Sequence, residues 1–364
     1  ETVADIDLVV ATDDPAAVLT YVAGLPVAGE TTERTADRIS MMTTLGRRMD
    51  VTVVPPAAFA RTLLLMTGAD AHLRELGDIP DGPDEAAIYR AKGLPFIEPE
   101  LREGLGEIQA ARTGRLPRLI TVGDLKGDLH AHTRASDGTA TLLEMAEAAR
   151  SLGHQYLAIC DHSRSLSIAG GLTAERLAMQ GAEIRRLNQA FRDFRLLRGT
   201  EVDILRDGSL DFPDDVLAGL DVVVASIHSH MQLDAQTQTE RLLRAIYNPH
   251  VDIIAHPTGR ILGRRDPYPL DIARIIEACC ETGTALEISA SPARLDLSDL
   301  HARLARQRGV KLVINTDAHS TLELQALEHG VGQARRAWLE AGDLLNALAL
   351  PDLLAWLNKE KRSR

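Results

Sequence analysis

Eleven of the twelve histidines in this 364-residue chain lie at or beyond His130, and several of them close short apolar runs. His130 and His132 are two residues apart, which on a strand places both imidazoles on one face. His162, Glu201, His228, His256, Asp317 and His319 fall at the ends of later runs, and Asp137 follows His132 in the loop RASDG. Imidazole and carboxylate without thiolate suit zinc, manganese or iron rather than magnesium alone. These nine candidates exceed what one tetrahedral ion uses, so more than one metal is expected. Clustered divalent ions lower the pKa of a shared water and hold both oxygens of a phosphoester during displacement, which makes phosphoester hydrolysis the expected chemistry. Arg260, Arg264 and Arg265, in HPTGRILGRRDP after His256, are candidates for holding phosphate, and His230 is a further substrate candidate.

A second set of acids lies near the amino end. Asp5 and Asp7 are two residues apart ahead of an apolar run, hence on one face of a strand, and Asp50 sits in the β-branched run RRMDVTVV. Three carboxylates on neighbouring strands are what a two-metal nucleotidyl-transfer site requires. A lone DxD is more often a solvated turn, so this signal is weaker than the histidine set.

The elements that must position these residues follow from periodicity. Upstream, residues 6–10 and 48–54 read as strands, residues 14–22, 57–66 and 98–113 as helices, and residues 68–94 as weakly patterned. Downstream, seven strand-like runs (127–132, 156–162, 196–201, 222–228, 252–256, 285–289 and 312–317) alternate with helical segments at 139–152, 173–192, 237–247, 269–282 and 297–307. Alternation of this kind implies βα units with parallel pairing, and seven units suggest a barrel close to the eightfold type. Six of the seven runs carry His, Asp or Glu at or near the end, where parallel αβ barrels form their sites, so the side chains should gather in one cup. Cys160 alternates away from Asp161 and reads as packing. The expected organisation is residues 1–113, a linker at 114–125, a barrel at 126–340 and a helical extension at 341–364.

Composition bounds the rest. Hydrophobic residues at 45% and charged residues at 25% describe a globular chain, and apolar runs such as 220–227 fall far short of the roughly 18 residues of a membrane span. Three cysteines, two of them adjacent, make no disulfide framework and lack metal-site spacing, which favours a reducing cytoplasm. The start at Glu1 without Met reads as a fragment of a longer protein. A formal charge of -12 argues at face value against DNA. Cations bound at the amino-end acids and in the cup would offset part of that charge.

The strings DLHAHTRASDG, AICDHS, GTEVDI, ASIHSH, IIAHPTGR and INTDAHS resemble the successive motifs of the polymerase and histidinol phosphatase (PHP) domain. Upstream, ETVADIDLVVAT, RRMDVTVVPP, LLLMTGADAH and IYRAKGLPFIEPELREGLGEI are similar to the palm and thumb of bacterial family X DNA polymerases that carry a PHP domain. The resemblance covers residues 1–361. It implies an α/β chain in which a palm and thumb remnant precedes a distorted seven-stranded TIM-like barrel. It also implies Asp5, Asp7 and Asp50 as carboxylates for two Mg or Mn ions, and the nine barrel residues as ligands of up to three Zn, Mn or Fe ions. Primer-template or gapped DNA and dNTPs would be the partners, with no membrane and no obligate protein partner. The sequence departs from the family at Ala4, where Gly is usual, at Ser289, where Asn is frequent, and between Leu76 and Asp84, where the thumb is about twenty residues short. The fingers and template-gripping domain are absent from this sequence.

Three readings compete. The first is a DNA repair polymerase whose PHP domain acts as a 3′–5′ exonuclease. The second is a small-molecule phosphomonoesterase of the histidinol phosphatase type with an inert palm, favoured slightly by the acidic charge and an aromatic content of 3%. The third makes the barrel a scaffold in which metals contribute only folding energy.

Overall fold

The computed structural model describes residues 4–357, which leaves the last seven residues of the expected helical extension outside the described part. The chain divides into two compact units, Glu1–Pro117 and Arg118–Arg364.

In the first unit, β1 (Asp5–Ala11), β2 (Ala28–Arg34), β3 (Arg38–Thr43) and β4 (Arg48–Val54) form one sheet in the order β1-β4-β3-β2. β1 runs parallel to β4, while β4–β3 and β3–β2 are antiparallel. One face buries Ile39, Met41, Met49, Val51 and Val53 against Leu19 and Val22 of the helix Pro15–Ala23. Asp14 caps that helix by accepting from Ala17 N at 3.1 Å, and proline at the first position fits its start.

The second half of this unit is helical where weak patterning was expected, with helices Asp70–Leu76 and Glu85–Ala91. The helix expected over 98–113 is two pieces, a 3₁₀ turn at Pro99–Leu101 and an α-helix at Glu107–Arg112. Gly104 and Gly106 between them take positive φ, and a Cβ on Gly104 would stand 2.3 Å from that of Ala71. This half is organised around buried polar groups. Glu107 accepts from His72 Nδ1 at 2.7 Å and from the backbone of Gly104 and Leu105, and His72 Nε2 lies 2.9 Å from Tyr89 Oη.

The second unit holds seven parallel strands: β5 (Gly127–Ala131), β6 (Tyr156–Ile159), β7 (Arg195–Asp203), β8 (Val222–Ser226), β9 (Ile253–Ile254), β10 (Ala285–Ser289) and β11 (Leu312–Asn315), paired in sequence order. A bridge between Ala131 and Ala318 brings β5 beside β11. Side chains stitch that seam: Asn315 Oδ1 accepts from Leu129 N at 3.0 Å, and Asp128 Oδ2 from Thr316 N at 3.1 Å.

The period of two decides what fills the barrel. Tyr156, Ala158 and Cys160 join Leu129, Leu197, Val222, Val224 and Val313 in the interior, while Leu157 and Ile159 pack outward beneath helices. Cys160 is therefore core, its thiol donating to Leu129 O at 3.4 Å. Leu353 and Leu357 of the helix Leu350–Leu357 join the same interior cluster, and Tyr156, the first residue of β6, donates from its hydroxyl to Leu348 O. The N-terminal strand ends are thus plugged with apolar groups, which leaves the other end for polar ones.

Candidate metal centre

Most of the candidate ligands sit one to three residues past their strands. His132 follows β5, His162 lies three residues beyond β6, and His228, His256 and Asp317 each lie two beyond β8, β9 and β11. His130 and Glu201 are within β5 and β7. Asp317 and His256 take left-handed backbone, with φ of 54° and 29°. Such conformations cost of order 1–3 kcal/mol and persist where surrounding contacts fix them. Glu287 Oε1 accepts from His256 N at 3.1 Å, and the His256 carbonyl accepts from Gly259 N.

The side chains converge in three tight groups: His130, His132, Glu201 and Asp317; His132, Asp137, His162 and His319; and His162, Glu201 and His228. In the first group, His130 Nε2 lies 3.1 Å from His132 Nε2, 3.4 Å from Glu201 Oε2 and 3.6 Å from Asp317 Oδ1. His132 Nε2 lies 3.5 Å from that Glu201 oxygen and 3.0 Å from that Asp317 oxygen. Four donors around one tetrahedral ion, at bond lengths of about 2.0–2.1 Å, stand about 3.3 Å apart, so these separations fit an ion between them. In the second group, Asp137 lies 3.4 Å from both His162 Nε2 and His319 Nε2. Glu201 links the sets, with Oε2 2.8 Å from His162 Nδ1 and Oε1 2.9 Å from His256 Nε2 and 3.4 Å from His228 Nε2.

The donor set itself tests whether cations belong here. His132 Nδ1, His162 Nδ1, His256 Nδ1 and Glu201 Oε2 are buried without hydrogen-bond geometry to any partner among the described residues, although His162 Nδ1 and Glu201 Oε2 are close. Buried polar atoms are normally satisfied, so unpartnered His132, His162 and Glu201 atoms within the ligand groups fit ligation, whereas His256 lies outside those groups and presents Nε2 to Glu201. Electrostatics agree. Burial alone would depress His162, His228 and His319, yet neighbouring carboxylates push them up to about 10, 9 and 9. Burial likewise opposes the charge on Glu201, but the imidazoles of His228, His162 and His130 hold it well below the usual carboxylate range. A field that favours added protons this strongly also favours a divalent cation in their place.

Behind the ligands stands a set of acids that the sequence reading did not single out. Glu287, in β10, accepts from His130 Nδ1 at 2.8 Å and from Asn315 Nδ2 at 2.9 Å, which leaves His130 Nε2 facing the cup. Asp203 accepts from His228 Nδ1 at 2.7 Å. Asp161 accepts from Thr133 N and Oγ1, Ser136 Oγ and Gln180 Nε2 at 2.5–2.7 Å, fixing the loop that carries Asp137. Partners of this kind set the tautomer and orientation of ligating histidines. A lone Glu in the apolar run ALEIS, and Asp two residues after Glu201 in GTEVDI, were the available signals.

The arginines sort differently from the expectation. Arg260 is 8% exposed and donates to the carbonyls of Arg294 and Leu295, bracing that loop. Arg265 donates to Gly259 O at 2.7 Å, and Arg264 is exposed on the surface. His230 is also exposed, with φ of 52°. The guanidinium that enters the cup belongs to Arg294, whose Nε lies 3.7 Å from Asp317 Oδ2 and whose buried Nη1 has no hydrogen-bond partner among the described residues. Arg294 is about 30 residues from the loop that sequence proximity favoured, which is why it was missed.

In the first unit, strand register places Asp7 opposite Asp50 and Asp5 opposite Arg48, so the three carboxylates share one face of β1 and β4. Asp50 is 3% exposed and paired with Arg48 at 3.0 Å and Arg38 at 3.3 Å, while Asp5 and Asp7 are exposed. Burial opposes its charge, but the neighbouring Ser40 side chain and the two arginines keep it below its ordinary value. Adjacent acids on parallel strands fit a cation-binding pair.

Comparison with known proteins gives a PHP domain over residues 128–291. A protein of Bacillus subtilis (strain 168) named DNA polymerase/3'-5' exonuclease PolX is 42% identical over 382 residues, covering 99% of this chain and 67% of its own length. The chain belongs to the family X DNA polymerases that carry a PHP domain. Probable phosphatase Teth514_1060 of Thermoanaerobacter sp. (strain X514) is 29% identical over 246 residues, covering 65% of this family X chain and 95% of its own. Among solved structures, histidinol phosphate phosphatase from Lactococcus lactis subsp. lactis Il1403, complexed with Zn, L-histidinol and phosphate, covers 57% of this chain and 93% of its own at 17% identity and a TM-score of 0.42. The family X assignment accounts for both halves of the chain, whereas the phosphatase covers 65% of it. No helix among the described residues is long and apolar enough to cross a membrane.

Proposed function

We propose that the barrel cup hydrolyses phosphodiesters at DNA 3′ ends, and that the first unit contributes nucleotidyl transfer in the intact protein. The observation that carries the first part is the convergence of imidazole and carboxylate atoms at ligand-like separations around Glu201 and His132. His130, His132, Asp137, His162, Glu201, His228, His256, Asp317 and His319 would hold up to three Zn, Mn or Fe ions. Bound there, such ions lower the pKa of a water and take the charge developing on phosphoryl oxygens. Glu287 and Asp203 keep the rings of His130 and His228 turned toward the cup by accepting their Nδ1 protons. Arg294 offers its unpaired Nη1 to a non-bridging phosphate oxygen, in reach of Asp317.

For nucleotidyl transfer, Asp5, Asp7 and Asp50 would hold two Mg or Mn ions, with primer-template or gapped DNA and dNTPs as substrates. The B. subtilis relative's name supports this, as does the register that sets Asp7 beside Asp50. A role in DNA repair in the cytoplasm follows from the same reading.

A second reading, a phosphomonoesterase of small molecules, is favoured by the probable phosphatase of Thermoanaerobacter, which matches this chain over 95% of its own length. Incubating the protein with Mn²⁺ and either a 5′-labelled oligonucleotide or histidinol phosphate separates them. Stepwise shortening from the 3′ end, abolished by chelator, is expected. Turnover of histidinol phosphate with the oligonucleotide left intact would establish the second reading instead.

A further inference from the structure

Beside the metal ligands lies a cavity of about 330 Å³, whose lining includes Asp137, Glu201 and Arg294 together with the apolar Leu166, Ile168 and Ala169. Ile168 is 95% exposed, more than any other large hydrophobic side chain among the described residues. A singly exposed Ile is ordinary on a protein surface. This one differs in where it stands and in how firmly it is held.

Ile168 lies at the middle of a 3₁₀ turn, Ser167–Ala169. The turn is pinned by backbone hydrogen bonds from Ala169 and Gly171 to Leu166 O and from Gly170 to Ser167 O. Leu172 N closes the loop on His162 O at 2.7 Å, the carbonyl of a ligand residue. Ser165 donates to Asp203 at 2.5 Å, the same acid that orients His228, and its backbone N–H donates to Asp211. Gly170 takes φ of 67°, and a Cβ on Gly171 would come 1.9 Å from Ser163 O, so both positions require glycine. The apolar group is thus fixed at the cup's rim rather than free to fold back into the core.

We propose that Leu166 and Ile168 form a shelf on which the base of the substrate's terminal nucleotide packs while its phosphate meets Arg294 and the ligand cluster. The proposal rests on the phosphodiesterase reading and names its substrate class: nucleotidyl phosphodiesters with an intact terminal base. The volume lies at the low end for ligand pockets, about 300–1,000 Å³, which suits one nucleotide and not a duplex end. Every base presents a flat apolar face, so such a shelf is tolerant of sequence. A small phosphomonoester without a base would leave Ile168 in water and gain nothing from it.

The test uses two oligonucleotides with Mn²⁺, one ending in a normal 3′ nucleotide and one in an abasic unit, and compares kcat/KM for removal of that unit. The wild type should prefer the base-bearing end by about tenfold, through KM, the fold-change expected for covering one aliphatic side chain. Ile168→Ser should abolish that preference and Ile168→Phe should retain it, with metal content equal in all three. A preference that survives Ile168→Ser, or its absence from the wild type while both ends are cut, overturns the shelf alone. If the wild type releases nothing from either end, the phosphodiesterase reading falls, and the shelf with it.

Discussion

At the scale of single residues, the site depends on acids that touch no substrate. Glu287 fixes His130 through Nδ1 and His256 through its backbone N–H, so it holds two ligands at once. Glu287→Gln should lower metal affinity by about 10–100-fold, measured by competition with a chromophoric chelator, since supporting partners of ligands have effects of that size. Affinity equal to wild type would mean that His130 needs no such hold. Arg294→Ala should raise KM for a phosphodiester by about tenfold or more while metal content stays constant, with Arg294→Lys intermediate because it keeps charge but loses the planar fork. An unchanged KM in Arg294→Ala would remove this residue from substrate binding. Eight of the nine metal-binding candidates were legible because they close or follow an apolar run, and Asp137 because it lies in the loop just after one. Glu287 was not, because ALEIS is scanned as a hydrophobic strand, and the partner that gives its charge meaning lies 157 positions away.

At the scale of elements, alternation of apolar runs with amphipathic segments was enough to read the βα barrel. In the first unit β2 and β3 escaped notice. β2, AGETTER, is exposed along almost its whole length, so it has no apolar face to show, and β3, RISMMT, depends on unbranched methionines. The helix read over 57–66 is present as Phe59–Thr67, whereas Asp70–Leu76 and Glu85–Ala91 escaped because they are short and bury polar groups such as His72 beside their apolar ones. Glu107→Ala would leave His72 buried without its acid, and should destabilise the Glu1–Pro117 unit by about 3–5 kcal/mol in a denaturant titration. A loss below about 1 kcal/mol would show the pair to be incidental. Burial raises the Glu107 carboxyl, but hydrogen bonds from His72, Gly104 and Leu105 hold it below its ordinary value. Its contribution is therefore complete above the pKa of an unfolded glutamate and is lost as pH falls through the lower folded value.

At the scale of the whole molecule, the charge of -12 reads differently once the acids are located. Glu201, Asp317 and Asp137 lie among imidazoles, where cations would offset them. DNA binding by this chain should therefore be weak without metal and rise with Mn²⁺, and a fluorescence anisotropy titration with and without chelator checks this. Equal affinity in both conditions would mean that the DNA contacts lie away from both acidic sites. On this reading the strand-end cup, and not the acidic face of β1 and β4, cleaves DNA. Release of nucleotides from a labelled oligonucleotide in Mn²⁺ by the wild type, Asp317→Ala and Asp50→Asn tests it most directly. Asp317→Ala should stop release, while Asp50→Asn should continue at the wild-type rate. Release that persists in Asp317→Ala, or stops in Asp50→Asn, would contradict it.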